Sequence, residues 1–276
     1  MNRPTYLLDI PADEYHAATK ENKYTTSHRL NLFRRCPALY HKHVTGEIVE
    51  GDTEAFQMGR AVHTLTLEGP DVFDAQYIVA DGPENPKTGK PYGRETKAYK
   101  EWAELQTKPV IGSDDHALML KLSDAVHAHP VAADILKKGI AEATVRGIWD
   151  NEPVQARLDW IDPERGIIAD LKTCADVDRF PFDIRDFGYV TQLAFYKRVL
   201  MLAGYDGPSL RAYLIAVEKR EPFRVAVVEI CGFTLDDGNT AEASKYGVGN
   251  NLMISELLTC RAKNEWPTRY EKLIRI

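Results

Sequence analysis

Hydrophobic and polar positions recur with a helical period through most of the first 140 residues. The stretch "TTSHRLNLFRRCP" predicts a helix with Thr26 or Ser27 as its N-cap that ends before Pro37. A second helix is expected over about residues 53–68, where Gly69 stops it. Residues 81–97, "DGPENPKTGKPYGRETK", have the chemistry of a surface loop. Further helices are predicted over about residues 95–106, 114–127 and 131–138.

Near residue 142 the pattern changes to short β-rich runs. The runs "EATVRGIW", "VQARLDWI" and "GIIADLKT" are separated by the turn sequences "DNEP" and "DPERG", which predicts an antiparallel meander. A helix over about residues 189–203, two more strands and a final helix over about residues 241–263 follow. This order favours an α/β fold with a central mixed β-sheet flanked by helices. We expect one domain in three parts: a mainly helical part over 1–140, a sheet core over 141–235 and a helical part over 236–276.

The third run, "IIADLKTC", places two charged residues in an apolar strand. Asp170 and Lys172 share one face because strand side chains alternate with a period of two. In a symmetric hairpin, Asp159 of the preceding strand lies opposite Asp170, with Cβ atoms about 4.5–5.5 Å apart. Facing carboxylates repel unless a cation lies between them, and their oxygens suit Mg²⁺ or Mn²⁺. A register shifted by one residue, which leaves a solvated strand pair, remains the alternative.

The composition indicates a globular protein that can bury a substantial core, with 276 residues of which 44% are hydrophobic. Its four cysteines show no CxxC spacing, which argues against a zinc ribbon or a disulfide framework. The N-terminal segment has no apolar stretch of the export type, and no run reaches about 18 apolar residues. We therefore expect a cytoplasmic protein without membrane insertion.

Charge alone argues mildly against a nucleic-acid partner, since the formal net charge is −6. Residues 27–43, however, hold four lysines or arginines, three histidines and no acid. A basic face can therefore coexist with an acidic total, although a merely solvated helix face explains the segment as well. The candidate DNA contacts are Arg29, Arg34 and Arg35 on this helix and Arg94 and Lys97 in the lysine-rich region.

Several motifs resemble those of one nuclease group. Asp159, ten intervening residues and "DLK" resemble the core motif of the PD-(D/E)XK superfamily, and the wider pattern is similar to the RecE (exonuclease VIII) nucleases. "GRAVH" over 59–63 matches a GxxxH element, and "QLAFY" over 192–196 matches a QxxxY element. "SHRLNLFRRCPALYHK" and "EWPTRY" resemble the terminal elements of the same group, so the resemblance covers roughly residues 10–276.

The resemblance implies a restriction-endonuclease-like core and a set of site residues. His63, Asp159, Asp170 and the Leu171 backbone carbonyl would hold a metal ion, with Glu142 as a further candidate ligand. Lys172 would orient or activate the attacking water, and Gln192 and Tyr196 would position the scissile phosphate or order the lysine. Each has an alternative: a packed or surface histidine, a solvated strand-end glutamate, and a chance pair on an amphipathic helix.

The implied activity is Mg²⁺-dependent digestion of linear double-stranded DNA from 5′ to 3′, with Mn²⁺ also accepted. The resulting 3′ single strands would pass to a RecT-type annealing partner, and the chains would form a homo-oligomeric ring such as a tetramer. We expect no iron–sulfur cluster, because Cys36 and Cys260 lack closely spaced companion cysteines. The alternatives are a structure-specific or restriction-type endonuclease and a non-catalytic DNA-end-binding protein.

Overall fold

The centre of the protein is a mixed β-sheet. The computed structural model describes residues 3–49, 51, 53–242 and 244–271. Within these residues the main sheet has five strands in the order β3-β4-β5-β6-β7. They are β3 (Ile140–Trp149), β4 (Glu152–Asp162), β5 (Ile167–Cys174), β6 (Arg211–Glu218) and β7 (Val225–Ile230). Two short strands, β1 (Ile78–Val79) and β2 (Val110–Ile111), pair separately.

Helices surround this sheet. They are α1 (Ala12–Lys20), α2 (Ser27–Arg35), α3 (Pro37–Val44), α4 (Glu54–His63), α5 (Pro70–Gln76), α6 (Lys97–Glu104), α7 (Ser113–Ala128), α8 (Pro130–Ile135), α9 (Phe180–Asp186), α10 (Tyr189–Leu202), α11 (Gly232–Thr240) and α12 (Asn250–Lys263). A π-helical turn over Thr64–Glu68 extends α4. Among the described helices, none has both the length and the apolar character needed to cross a bilayer.

The strand pairing is mostly antiparallel with one parallel step. β3, β4 and β5 form the predicted meander, and β6 and β7 are antiparallel to each other. β5 and β6 are parallel, so the chain crosses between them through α9 and α10. A mixed sheet flanked by helices confirms the predicted fold class.

Two apolar cores lie on the two faces of the sheet. One is formed with α2, α10 and α12, for example by Phe33, Leu193 and Leu257. The other is formed with α4, α7 and α8, for example by Val62 and Leu122. The residues of β5 alternate between the two cores, since Ile168 belongs to the first and Ile167, Ala169 and Leu171 to the second. Both cores combine helices from before residue 140 with the sheet. The predicted division of the domain into parts over 1–140, 141–235 and 236–276 stays a prediction.

Several helices differ from the predictions. The short helices α1, α3, α5, α9 and α11 were not predicted. The final helix begins at Asn250 rather than near residue 241, because glycines at 247 and 249 precede it and Asn250 is fixed by tertiary contacts. Its side-chain amide donates to the Thr191 carbonyl and to Asn239, both at 2.9 Å. The position of this helix N-terminus depends on tertiary contacts, which the local sequence pattern does not show.

Candidate active site

The site lies where β4 separates from β5. Three predicted cross-strand pairs form, including Trp160 with Ala169. The fourth predicted pair, Asp159 with Asp170, does not form, because the ladder ends one residue earlier. Instead, Asp159 Oδ2 accepts a hydrogen bond of 2.9 Å from the Leu171 N–H. The prediction that the two aspartates face each other as a cross-strand pair is therefore wrong. At this position the side chain of Asp159, rather than a backbone group of β4, accepts the hydrogen bond from β5.

The turn that joins the two strands is held by Asp162. Its Oδ1 accepts hydrogen bonds of 3.1 Å from the backbone N–H groups of Glu164 and Arg165. Arg165 Nε donates to the other carboxylate oxygen at 2.6 Å. Burial works against ionisation of this carboxyl, but Arg165 and the turn amides outweigh it and lower the pKa of Asp162. These contacts fix the turn and therefore the register of the hairpin.

Glu142 lies opposite Asp159 on the other neighbouring strand. The pairs on either side of it, Ala141 with Trp160 and Ala143 with Leu158, are regular, and the ladder skips Glu142 itself. Its φ of 51° is left-handed, which costs a non-glycine residue about 1–3 kcal/mol. Arg157 holds the resulting position, since its Nε donates to Glu142 Oε2 at 2.6 Å. Strain of this kind concentrates at functional sites.

His63 completes a group of ligand atoms with these two acids. It is the last residue of α4, so its imidazole comes from the helical layer on the α7 side of the sheet. His63 Nδ1 lies 3.3 Å from Asp159 Oδ2. One ligand atom each from His63, Glu142 and Asp159 lies within 4.8 Å of the others. The structure therefore brings together three residues that lie 17 to 96 positions apart on the chain.

Asp170 and Lys172 lie beside this group on the face covered by α10. Lys172 Nζ is 2.5 Å from Asp170 Oδ2. Gln192 Nε2 donates to Asp170 Oδ1 at 3.1 Å and contacts the Tyr196 hydroxyl at 2.7 Å. Gln192 therefore holds Asp170, and the predicted roles of the QxxxY pair in positioning the scissile phosphate or ordering the lysine stay predictions.

Glu142 and Asp170 have raised pKa values because both are buried close to the charge of Asp159. Burial and the charge of Asp159 raise the pKa of Glu142 to about 7, against the opposing effect of Arg157. Burial and Asp159 likewise raise the pKa of Asp170 to about 6. Burial disfavours the ammonium of Lys172, yet the charges of Asp170 and Asp159 raise its pKa, so the lysine stays protonated. The site therefore has more negative charge than its own cations neutralise.

The donor set suits a divalent cation. Two carboxylates and an imidazole supply oxygen and nitrogen ligands in one small volume. Asp170 Oδ2 is buried, and its near neighbour, the ammonium of Lys172 at 2.5 Å, does not approach it in the direction of a hydrogen bond. The Leu171 carbonyl faces the Asp159 side as well, because the N–H and C=O of one strand residue point the same way. Asp170 is not among the three residues whose side-chain ligand atoms cluster.

Comparison with known proteins assigns the family. The sequence profile of a PDDEXK-like domain of unknown function (DUF3799) matches residues 27–274. The chain belongs to this family. A comparison with curated proteins found no significant match.

Two solved structures resemble this PDDEXK-like chain to different degrees. A crystal structure from Eubacterium rectale, described as that of a "putative exonuclease", has a TM-score of 0.65 and 13% sequence identity and covers 98% of this chain and 96% of its own. It supports the fold. The structure of SSO0001 has 17% identity and covers 55% of this chain and 68% of its own, but its TM-score of 0.29 is too low to bear on the fold.

The predicted DNA contacts lie in different environments of the PDDEXK-like chain. Arg34 donates to the Val248 carbonyl at 2.9 Å and to Asn250 Oδ1 at 2.6 Å, which ties α2 to α12. Arg34 therefore has a structural role, and its contact with DNA stays a prediction. Of the others, Arg29 contacts Asn22, Arg35 is exposed, Arg94 pairs with Asp115 at 2.6 Å, and Lys97 lies 3.5 Å from Glu101.

Two residues of this site were missed from the sequence. Arg157 could have been found, because it precedes Asp159 by two positions and so shares its strand face. Tyr189 places its ring 4.8 Å from Lys172 Nζ. Its signal was helical spacing, since Tyr189, Gln192 and Tyr196 follow an i, i+3, i+7 stripe.

Proposed function

We propose that this protein is a Mg²⁺-dependent exodeoxyribonuclease that digests linear double-stranded DNA from 5′ to 3′. The observation that carries the proposal is the row of Glu142, Asp159 and Asp170 across three strands, with Lys172 beside it. Uncompensated carboxylates around one small volume, next to a protonated lysine, are suited to metal-assisted phosphodiester hydrolysis. Membership of a PDDEXK-like family supports the same class of reaction.

Each side chain has a role in this reaction. His63, Glu142 and Asp159 would hold the metal, with Asp170 and the Leu171 carbonyl completing its surroundings. A bound Mg²⁺ supplies Lewis-acid polarisation of the phosphate and activation of water, and Mn²⁺ would be accepted because one ligand is an imidazole. The ammonium of Lys172 donates hydrogen bonds to the attacking water or to phosphoryl oxygens as negative charge develops there. Gln192 holds Asp170 in the orientation that this arrangement needs.

The finer parts of the proposal rest on the resemblance to RecE-like nucleases. They are the 5′ to 3′ polarity, the hand-over of 3′ single strands to a RecT-type annealing protein, and assembly as a homo-oligomeric ring. A ring would also reconcile a net charge of −6 with DNA binding, if basic residues line its channel. Sedimentation of the purified protein tests the ring: we expect a closed oligomer, and a stable monomer at micromolar concentration would contradict it.

Digestion of end-labelled DNA tests the activity and its polarity. The substrates are a linear duplex labelled at either the 5′ or the 3′ end and a covalently closed circle, each with Mg²⁺ or EDTA. We expect early release of the 5′ label with Mg²⁺ only, and an intact circle. Cutting of the circle would indicate an endonuclease, early release of the 3′ label would reverse the polarity, and binding of ends without hydrolysis would indicate a DNA-end-binding protein.

A further inference from the structure

Helix α9 carries two exposed aromatic rings next to the candidate active site. It connects β5, which bears Asp170 and Lys172, to α10, which bears Gln192 and Tyr196. Phe182 is 52% exposed and Phe187, just after the helix, is 63% exposed. Covering an exposed phenylalanine ring is favourable, so two such rings on the helix that follows β5 indicate a surface that binds a ligand.

A continuous set of rings links this helix to Lys172. The Tyr189 ring lies 4.8 Å from Lys172 Nζ, and the Phe187 ring lies 5.8 Å from the Tyr189 ring. Gly188 between them has a φ of 69°, the left-handed conformation that favours glycine. This turn brings the two rings side by side. The exposed Phe187 ring therefore lies next to the same Tyr189 ring that lies next to Lys172.

The charges around α9 indicate what kind of ligand these rings would take. The guanidinium groups of Arg179 and Arg185 lie 5.8 and 5.9 Å from the Phe182 ring. Arg185 also pairs with Asp186 at 2.8 Å, and Asp183 lies on the same helix. These acids offset the arginines. The surface thus offers aromatic faces without strong positive charge, which suits bases better than phosphates.

We propose that the exposed rings of α9 are a stacking platform for unpaired bases of the DNA strand next to the scissile phosphate. Phe187 would take the base that adjoins this phosphate, and Phe182, five positions earlier on the helix, would take a further unpaired base. The proposal rests on the proposed nuclease function, since it takes the phosphate to be bound at Lys172. A base adjoining that phosphate reaches Phe187 because the ring lies next to Tyr189. Every base has a π face, so the platform binds unpaired nucleotides without sequence preference.

Binding of a fluorescent oligonucleotide tests the platform without hydrolysis. The probe is a duplex with a short single-stranded end that contains 2-aminopurine, and EDTA prevents cutting. Stacking quenches this fluorophore, and we expect quenching with the parent protein. The variant Phe182→Leu/Phe187→Leu keeps apolar side chains on an exposed surface and therefore folds. We expect it to lose the quenching and to bind roughly 5- to 150-fold more weakly, since base–aromatic stacking is worth about that much per base.

Three matched measurements make the assignment specific. Phe233→Leu, which changes a phenylalanine that is 76% exposed on α11, should bind as the parent does. Phe187→Trp should keep the quenching, because it keeps an aromatic face. The salt dependence of binding should have the same slope in the parent and the double leucine variant, since no phosphate contact is lost.

The possible failures of the two proposals are distinguishable. Unchanged binding and quenching in the double leucine variant would overturn the platform even if the parent digests DNA. A shallower salt slope would indicate a phosphate contact instead, and a smaller sedimenting species would indicate that the rings join copies of this chain; both results would also overturn it. If the parent quenches the probe, the double leucine variant does not, and the parent never hydrolyses DNA, the nuclease is refuted. The platform is then still supported, because it needs a phosphate bound at Lys172 but not its hydrolysis.

Discussion

The two ends of the β4–β5 hairpin each bury an aspartate, with opposite results. Asp162 at the closed end and Asp170 at the open end are both 0% exposed. Asp162 receives two backbone N–H groups and a guanidinium, and its pKa is lowered. Asp170 lies near Asp159, has one amide donor and one ammonium, and its pKa is raised to about 6. Burial alone therefore does not decide the state of a carboxylate, because its partners do.

The two ends of the hairpin differ in whether the protein itself satisfies its buried acids. At the closed end every acceptor is used by the protein itself, so the contacts stabilise the turn. At the open end the protein tolerates repelling acids and a left-handed Glu142, an arrangement that a bound divalent cation would stabilise. We expect neutralisation of an acid at the open end to cost mainly activity, and neutralisation of the acid at the closed end to cost stability.

The largest expected effect is on activity at the open end. Asp170→Asn should lower the rate of Mg²⁺-dependent digestion of a linear duplex about 10³-fold, because the site loses a charge that the metal and Lys172 need. Its free energy of unfolding should change by less than about 1 kcal/mol, since lost attraction to Lys172 is offset by relief of repulsion from Asp159. Asp162→Asn is the matched control and should retain most of the activity. Equal rates for Asp170→Asn and the parent would mean that the site is wrongly assigned.

Lys172 should also have a large effect on stability. Lys172→Met leaves Asp170 buried beside Asp159 without its ammonium, which should destabilise the fold by about 3 kcal/mol in urea unfolding. Adding Asp170→Asn to this variant should restore most of the loss, because the unpaired charge is then gone. If the double variant is as unstable as the single one, the lysine stabilises the fold through packing rather than through this pair.

Much of the site geometry could be predicted from the sequence. The turn "DPERG" and the alternation of apolar residues fix three pairs of the hairpin register and place Asp170 and Lys172 on one face. The separation of the strands at Asp159 could not be predicted, because it depends on a side chain replacing a backbone partner. The left-handed Glu142 was equally invisible, since glutamate has no preference for that conformation.

Arg157 should have an intermediate effect, through the metal. It holds Glu142 at 2.6 Å and also donates to the Ile10 carbonyl at 2.8 Å. Arg157→Met should weaken Mn²⁺ binding in calorimetry about 10- to 100-fold, as is typical when a residue that orients a ligand is removed. Arg146→Met is the control, because Arg146 contacts Gln155 and the Tyr24 ring instead. Equal Mn²⁺ affinity in both variants would show that Arg157 does not orient a metal ligand.

The smallest expected effect is at the closed end. Asp162→Asn should lower the free energy of unfolding by about 1–2 kcal/mol at pH 7, since the charge-assisted contact to Arg165 is lost. Because the folded pKa of Asp162 lies below its unfolded value, this contribution is present above about pH 4 and fades as the pH falls through the folded pKa. Urea unfolding at several pH values should therefore show parent and variant converging in acid. A constant difference down to pH 2 would contradict the account of the turn.

The helices were harder to predict than the strands, for the same reason as the site. Long helices such as α7 follow from periodicity alone. Helix α9 has only seven residues, "FPFDIRD", which show no clear apolar stripe. Its structure is therefore set by the elements that it packs against. The candidate platform at Phe182 and Phe187 therefore became visible only in the folded chain.

The central claim is that the acids at the open end are crowded because they bind a divalent cation, and thermal unfolding with Mn²⁺ tests it most directly. A ligand that binds only the folded state at 100 times its Kd stabilises by about 2.7 kcal/mol, which corresponds to roughly 5–10 °C for a chain of this size. We predict such a rise in Tm for the parent and for Asp162→Asn, and none for Asp159→Asn. A parent Tm that does not change with Mn²⁺, or an equal rise in Asp159→Asn, would contradict the account.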